Sequence, residues 1–334
     1  PNSIDLDVLL GNFYRGAGER LISVLEGVVD AAPEGVGITC MTGCLLNKEP
    51  DYPSEWAIGL AEWADAVVAV MGISPLMEGE QGECLASQNG GDRDQLELPE
   101  NQVEFVRKLA DTGKPLVLVV TGGSPVAMPE MEELADAILF IWYPGEQGGA
   151  AVGDVIFGQE CPSGRLPVTF PRSTAELPPF EDYSMEGRTY RYMTAEPLYP
   201  FGYGLSYTTF EYGPLELSAE QVAAGESVTV RTDVTNTGRR AGEEVVQLYL
   251  TDDEASVRVP RWDLRGIRRV ALSPGETKTV SFEITPEMME LVDEEGERVL
   301  EPGTFTVRVG GCSPGTRGAQ LGAPEPAAAS FTLL

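Results

Sequence analysis

The spacing of hydrophobic residues changes once along this 334-residue chain, and that change predicts two kinds of domain. In residues 1–160, short β-branched runs alternate with segments whose apolar residues recur every three or four positions. Strands are predicted at 37–41, 66–71, 115–120 and 137–141, and those at 66–71 and 115–120 are predicted to be fully buried. Helices are predicted at 20–29, 54–63, 100–110, 131–135 and 148–157. Strands that alternate with helices are typical of a largely parallel α/β sheet with helices on both sides.

After residue 214 the apolar residues recur at every second position, which is the period of half-buried strands. Strands are predicted at 227–234, 244–250, 277–284, 304–309 and 330–333. Turn signals that end in Gly238, Gly275 and Gly303 separate several of them. About seven strands over about 100 residues predict a β-sandwich of the immunoglobulin or fibronectin type III kind. The Ala/Pro/Gly-rich stretch 315–329 is predicted to be a loose tail before the last strand.

The segment between these two patterns is rich in Pro, Gly and aromatic residues. Seven of the eleven tyrosines lie within 161–213, and so much aromatic area predicts a packed brace instead of a free linker. The predicted domains are therefore 1–160 for the α/β part, 161–213 for the brace and 214–334 for the β-sandwich with its tail.

Charge and composition exclude several classes of function. The formal net charge of −30 disfavours partners with a phosphate backbone or an anionic lipid surface. Histidine is absent, so Ser-His-Asp and Cys-His catalysis and His-ligated zinc are excluded. No cofactor or metal site is predicted, and proton transfer must fall to carboxylates, Tyr, Cys or Lys. Five scattered cysteines and no visible signal peptide favour a cytoplasmic setting. A signal peptide that had been removed would instead allow a secreted or periplasmic one.

The long loop after the strand at 66–71 carries the candidate chemistry. In parallel α/β sheets ligands bind beyond the carboxyl ends of the strands. Glu78 and Glu80 flank a glycine, so the loop can bend and present both carboxylates in one direction. A carboxyl group kept protonated by its neighbour's charge is what a general acid needs. Asp92 and Arg93 are predicted to orient a hydroxylated ligand or to clamp the loop by an ion pair.

Two interpretations in which these motifs have no catalytic or binding role stand beside that prediction. In a chain with 53 acidic residues, two close glutamates are often merely solvated. The string 142–149, which also follows a strand, is predicted to be a tight strand-to-helix turn, since no Lys or Ser/Thr stands where a phosphate loop requires one. Ser124 has no base beside it in the sequence and is not predicted to be a nucleophile.

Several strings together resemble glycoside hydrolase family 3, in its β-glucosidase and β-xylosidase branches. They are the loop 78–80 with 91–93, the string 142–149, and the stretches 162–170, 182–192 and 197–207. The stretches 234–238, 245–249 and 264–266, with Gly242, resemble that family's fibronectin-type domain. The resemblance implies an α/β sandwich domain followed by a fibronectin type III-like β-sandwich.

The resemblance also implies a retaining exo-β-glycosidase that releases β-linked glucose or xylose from the ends of its substrate, an oligosaccharide or a glycoside. In this family the α/β sandwich lends a loop to a preceding TIM-like barrel, and the barrel supplies the nucleophilic Asp. The general acid/base Glu best matches Glu80, with Glu78 second and Glu83 a distant third. The stretch 81–90 separates Glu80 from Gly91, whereas short-loop relatives have the two motifs nearly adjacent. Retention requires two carboxylates about 5–5.5 Å apart, one of which switches between acid and base.

No part of this sequence resembles the barrel. The chain is therefore expected to be either a fragment or a separate subunit that assembles with a barrel chain carrying the nucleophile. Alone, it is expected to bind sugar weakly and to hydrolyse nothing. Two alternatives stay open at this point: a non-catalytic carbohydrate-binding or scaffold subunit derived from the same family, and an adhesion-type protein whose fibronectin-like domain binds other proteins.

Overall fold

The computed structural model describes residues 1–10, 19–48, 50–80, 82, 86–87 and 90–334. The chain divides into two compact units. The first contains Pro1–Glu160 and Arg172–Glu176, and the second contains Cys161–Pro171 and Leu177–Leu334. The role of 161–213 as a brace between domains stays a prediction.

The first unit is built on three parallel strands, which lie side by side in the sheet in the same order as along the chain. All three were predicted as strands; the first two were predicted to be fully buried, and the central strand is the most buried of the three. The prediction of a strand at 37–41 is wrong: the structure has none there, and four of these five residues are exposed. A run of this length forms a strand only when a neighbour pairs with it and one face is covered. The strands are β1 (Val67–Gly72), β2 (Leu116–Thr121) and β3 (Ala137–Trp142).

Helices flank this sheet, and the five predicted helices are confirmed to within a few residues. Ser23 caps the helix that begins at Val24: its Oγ accepts a hydrogen bond from the backbone N of Glu26 at 3.2 Å. This helix and the one at Gly148–Ile156 approach so closely that a Cβ on Gly27 would lie 1.8 Å from the Gly149 carbonyl oxygen. The helices are α1 (Asp7–Leu10), α2 (Val24–Ala31), α3 (Glu55–Trp63), α4 (Glu100–Ala110), α5 (Met131–Leu134) and α6 (Gly148–Ile156), with a 3₁₀ turn at Thr174–Glu176.

The second unit contains three β-sheets; the third has only two strands, and the two larger ones share one core, as the period-two pattern predicts. One sheet has the order β10-β7-β4 with β5 also on β7, and the other has the order β6-β14-β13-β8-β9. Val230 and Phe282 from the first sheet and Leu248 and Val307 from the second belong to the same buried cluster. The strands are β4 (Phe210–Tyr212), β5 (Glu216–Leu217), β6 (Gln221–Val222), β7 (Val228–Asn236), β8 (Gly242–Asp252), β9 (Asp263–Leu272), β10 (Thr277–Ile284), β11 (Leu291–Val292), β12 (Arg298–Val299), β13 (Gly303–Gly310) and β14 (Ala327–Leu333). Three short helices accompany them: α7 (Thr189–Tyr192), α8 (Pro286–Met289) and α9 (Thr316–Gln320).

Strand β8 is buried along most of its length and not only at alternate positions. Its second face is covered by the tyrosine-rich segment, where Tyr190 packs edge-on against Tyr249 with ring centroids 5.9 Å apart. Tyr190 also stacks on Phe201 at 4.4 Å. The aromatic residues of this segment therefore supply an additional layer within the second unit.

The prediction of a loose tail at 315–329 is wrong for its first part. Residues 316–320 form α9, and Arg317 is buried with its Nε donating to the Leu198 carbonyl oxygen at 3.1 Å. Composition indicated a mobile stretch because Ala, Pro and Gly contribute little burial. The contact that orders this part of the chain comes from more than a hundred residues away.

Candidate functional site

Three loops meet at the carboxyl ends of the parallel strands in the first unit. The loop after β1 starts from a tightly held position: Gly72 has φ +111°, and a Cβ there would lie 2.1 Å from the Thr121 carbonyl oxygen. Gln102 accepts from the Gly72 backbone N at 2.8 Å and donates to its carbonyl oxygen at 2.7 Å. Thr121 Oγ1 donates to the Ile73 carbonyl oxygen at 2.7 Å. The first residues of the loop are thus fixed by both neighbouring elements.

Glu78 ties the three loops together. Its Oε2 accepts from the Gly123 backbone N at 2.7 Å and from the Tyr143 hydroxyl at 2.5 Å, and its Oε1 accepts from the Ser124 hydroxyl. Gly123 and Ser124 follow β2, and Tyr143 follows β3. The Glu78 side chain is only 15% exposed. Buried carboxylates held by several donors are anchors, because each donor offsets part of the cost of desolvation.

Arg93 completes this cluster from the far side of the same loop. Its Nε lies 3.6 Å from Glu78 Oε1, and its Nη2 donates to Ser124 Oγ at 2.6 Å and to the Pro125 carbonyl oxygen at 2.9 Å. Burial lowers the pKa of the Arg93 guanidinium, and the nearby Glu78 carboxylate opposes that shift. The structure thus brings Glu78 and Arg93 together, as a pair that joins the two ends of the loop.

Tyr143 and Ser124 are site residues that sequence reasoning missed. Burial, followed by the charge of Glu78, raises the pKa of the Tyr143 hydroxyl far above its usual range, so this group stays a hydrogen-bond donor. Trp142, just before it, has φ +56°, a left-handed conformation that costs a non-glycine residue about 1–2 kcal/mol. The available signal was position: Tyr143 is the first residue after β3, and Ser124 is the third after β2.

Glu80 and Asp92 differ from Glu78 in their surroundings. Both are exposed, and neither forms a hydrogen bond or ion pair with the other residues that the structure describes. Glu83 lies outside the described residues. Glu78 therefore holds the loop in place, and the exposed carboxylate of Glu80 lies two positions after it on the same loop.

Over the described ranges, no group of three or more Cys, Asp or Glu is arranged to hold a metal ion. In the same part of the chain, no helix is both long and apolar enough to cross a membrane.

Comparison with known proteins bears on both units. Residues 5–207 match the glycosyl hydrolase family 3 C-terminal domain, and residues 244–313 match a fibronectin type III-like domain. A β-xylosidase of Formosa agariphila is 40% identical over 310 residues, covering 91% of this chain and 42% of that protein. A periplasmic β-glucosidase of Salmonella typhimurium is 36% identical and covers 88% and 42%. The solved structure of a β-glucosidase from Erythrobacter marinus superposes with a TM-score of 0.80 at 33% identity, covering all of this chain and 46% of that one.

The match confirms the predicted order of an α/β domain followed by a fibronectin type III-like β-sandwich. The chain spans less than half the length of these relatives. The family match covers more than half of this chain, and the relatives named are glycosidases. This chain belongs to the glycosyl hydrolase family 3 C-terminal domain family.

Proposed function

We propose that this chain is the C-terminal part, or a separate subunit, of a retaining exo-β-glycosidase of the β-glucosidase or β-xylosidase kind. In this proposal Glu80 is the general acid/base. The similarity to a β-xylosidase and a β-glucosidase over about nine-tenths of the chain supports the reaction class.

The contrast between Glu78 and Glu80 carries the assignment of the acid/base. A group that protonates a leaving oxygen must reach the substrate, and Glu80 is exposed on the loop. Glu78 is committed to Gly123, Ser124 and Tyr143, so its oxygens are occupied by the protein itself. Glu78 and Arg93 then serve as loop-orienting residues that hold Glu80 in place, and the exposed Asp92 is assigned to substrate binding.

The nucleophile is proposed to lie on a barrel domain or partner chain. The chain spans 42% of the β-xylosidase relative, which leaves room for such a domain in the longer protein. In the first step Glu80 protonates the glycosidic oxygen while the nucleophilic Asp bonds to the anomeric carbon. In the second step the Glu80 carboxylate takes a proton from the water that releases the sugar. This sequence requires the two carboxylates to approach to about 5–5.5 Å in the assembled site.

The cellular location stays a prediction of this proposal. Scattered cysteines favour the cytoplasm. The Salmonella typhimurium relative is named as periplasmic, so a secreted form is the alternative. Fractionation of the source cells followed by immunoblotting distinguishes the two.

The first experiment is native mass spectrometry of the protein isolated from its source. A complex that contains this sequence together with a barrel-sized chain or domain supports the proposal, and aryl β-glucosides and β-xylosides are then assayed on that material. Glu80→Gln is expected to lower kcat by about 10²–10⁴-fold on substrates with poor leaving groups. Glu62→Gln, a change at an exposed glutamate on α3, is the matched control and should keep full activity. An unchanged rate for Glu80→Gln would refute the assignment.

One observation favours a second candidate, a non-catalytic scaffold subunit. Helix α3 exposes Trp56 at 62%, Leu60 at 38% and Trp63 at 91%, at a spacing that places them on one face. Such a face is typical of a surface that another protein covers. This candidate predicts an assembled complex in which Glu80→Gln changes nothing and Trp63→Ser abolishes assembly.

A further inference from the structure

A cleft of about 270 Å³ lies within the second unit. Buried side chains from β8, β11 and β13 contribute an apolar part of its lining: Leu250, Leu291 and Phe305. Four arginines also line it: Arg191, Arg258, Arg265 and Arg298. In a chain with a net charge of −30, four guanidinium groups around one cleft form a local exception to the field of the protein.

Two of these arginines share a single carboxylate. Asp263 Oδ2 lies 3.3 Å from Arg191 Nη2 and 2.9 Å from Arg265 Nη2. This group of three therefore carries one positive charge in excess. The Nε atoms of Arg191 and Arg265 are buried and have no hydrogen-bond partner among the described residues. Unpaired buried donors destabilise the folded chain, and the negative charge of an anion beside this group offsets part of that effect.

The other two arginines of the cleft do not change that excess, and one further carboxylate opposes it. Arg298 lies 3.7 Å from Glu290, and Arg258 lies 3.2 Å from Glu186, so each of these guanidiniums has its own carboxylate. Asp252 is the remaining acid in the lining. Asp252 accepts from the Glu254 backbone N at 3.1 Å, whereas Arg191 and Arg265 pair with Asp263 instead.

The remaining chemistry of the cleft suits a sugar ring. Tyr192 has the Arg191 and Arg258 guanidiniums 6.0 and 5.5 Å from its ring centroid, an arrangement that helps to hold both in position. Guanidinium donors and carboxylate acceptors match hydroxyl groups, which both donate and accept. The apolar lining matches the C–H face of a pyranose. The volume lies just below the ~300–1,000 Å³ typical of sites for drug-sized ligands, which fits one small ring.

We propose that this cleft binds a pyranose that carries a carboxylate, a hexuronic acid, with the carboxylate held by Arg191 and Arg265. Only the sugar class of the ligand rests on the proposed glycosidase function; the anion site rests on the charges around Asp263. The test of this site measures binding and does not use hydrolysis.

Isothermal titration calorimetry on the whole 334-residue chain tests this proposal. Four ligands are titrated at equal ionic strength: glucuronate, glucose, acetate and inorganic phosphate. We expect saturable glucuronate binding about tenfold tighter than that of glucose or acetate, because only glucuronate supplies both the ring and the charge. Phosphate binding as tight as that of glucuronate overturns the assignment to a sugar acid, and so does equal binding of glucose.

Variants locate the binding. Arg265→Gln is expected to weaken glucuronate binding about tenfold, and Arg265→Lys, which keeps the charge without the planar fork, to weaken it less. Arg269→Gln on the same strand removes an exposed guanidinium that pairs with Glu243, and it should leave the affinity unchanged. Thermal unfolding checks that each variant is folded, and Arg191→Gln repeats the test from the other side of Asp263. Affinity that stays unchanged in both Arg265→Gln and Arg191→Gln, or no saturable binding to the folded chain, overturns the proposal.

Discussion

A buried ion pair in the second unit tests how strongly a buried charge that has lost its partner destabilises the fold. Arg165 Nη2 lies 2.7 Å from Glu244 Oε2, and the two side chains are only 8% and 1% exposed. The Tyr212 hydroxyl donates to Glu244 Oε1 at 3.0 Å. At this distance and an effective dielectric constant of about 20, the attraction is about 6 kcal/mol before desolvation is subtracted. Removing one partner leaves the other charged, buried and unpaired, which costs about 3–5 kcal/mol.

We therefore expect Glu244→Gln and Arg165→Met each to lower the free energy of unfolding of the second unit by about 3–5 kcal/mol. The double variant Arg165→Met/Glu244→Leu should lose much less than the sum, because no buried charge is left unpaired. Urea unfolding measures these values. The signal of the second unit is isolated by replacing Trp56, Trp63 and Trp142 with Phe, so that only Trp262 fluoresces.

The neighbouring residue on β8 offers a matched control. Glu243 pairs with Arg269 at 2.9 Å, but these side chains are 46% and 50% exposed. Glu243→Gln should cost less than about 1 kcal/mol, since exposed pairs are solvated in both states. If Glu244→Gln costs no more than Glu243→Gln, or if the effects of the two buried changes simply add, the reasoning about desolvated charge is wrong.

Three further predictions concern the first unit and the buried tyrosines. Tyr143→Phe removes a hydrogen-bond donor to Glu78 and should speed amide hydrogen exchange in the loop after β1. The increase should correspond to about 1–2 kcal/mol of lost local stability. Unchanged exchange would mean that this hydrogen bond does not hold the loop in place. Gly72→Ala should lower the free energy of unfolding by more than about 3 kcal/mol. Gly35→Ala is the control, because Gly35 is also at positive φ but has open space around it, and it should lower that free energy by about 1 kcal/mol. Thermal unfolding measures both values. Burial raises the folded-state pKa of Tyr143 and Tyr212 above the usual value of about 10, so their contribution to stability is complete below pH ~10 and is lost as the pH rises further. Urea unfolding between pH 8 and 11 should show this loss, and an increase in stability over that range would contradict it.

Much of the architecture was predictable because burial leaves a local period in the residues. The strands β1, β2 and β3 are apolar throughout, whereas β7 alternates as a half-buried strand does. Where a second layer covers a strand, as the tyrosine-rich segment covers β8, the alternation disappears and the local pattern no longer reports the environment. The order of α9 was likewise invisible, because the Leu198 carbonyl that binds Arg317 is distant in sequence.

The sequence by itself determined the two domain classes, the exclusion of histidine chemistry and the loop on which the candidate carboxylates lie. The family resemblance ranked Glu80 ahead of Glu78, but only the tertiary structure shows how the surroundings of the two carboxylates differ. Glu78 and Glu80 are equivalent by residue type and lie on either side of one glycine, but Tyr143, Ser124 and Gly123 reach Glu78 from the ends of two other strands. The same holds for the two guanidiniums that share Asp263. Hydrogen bonds and ion pairs between distant segments depend on atomic positions that no local period records, so they become visible only once the chain has folded.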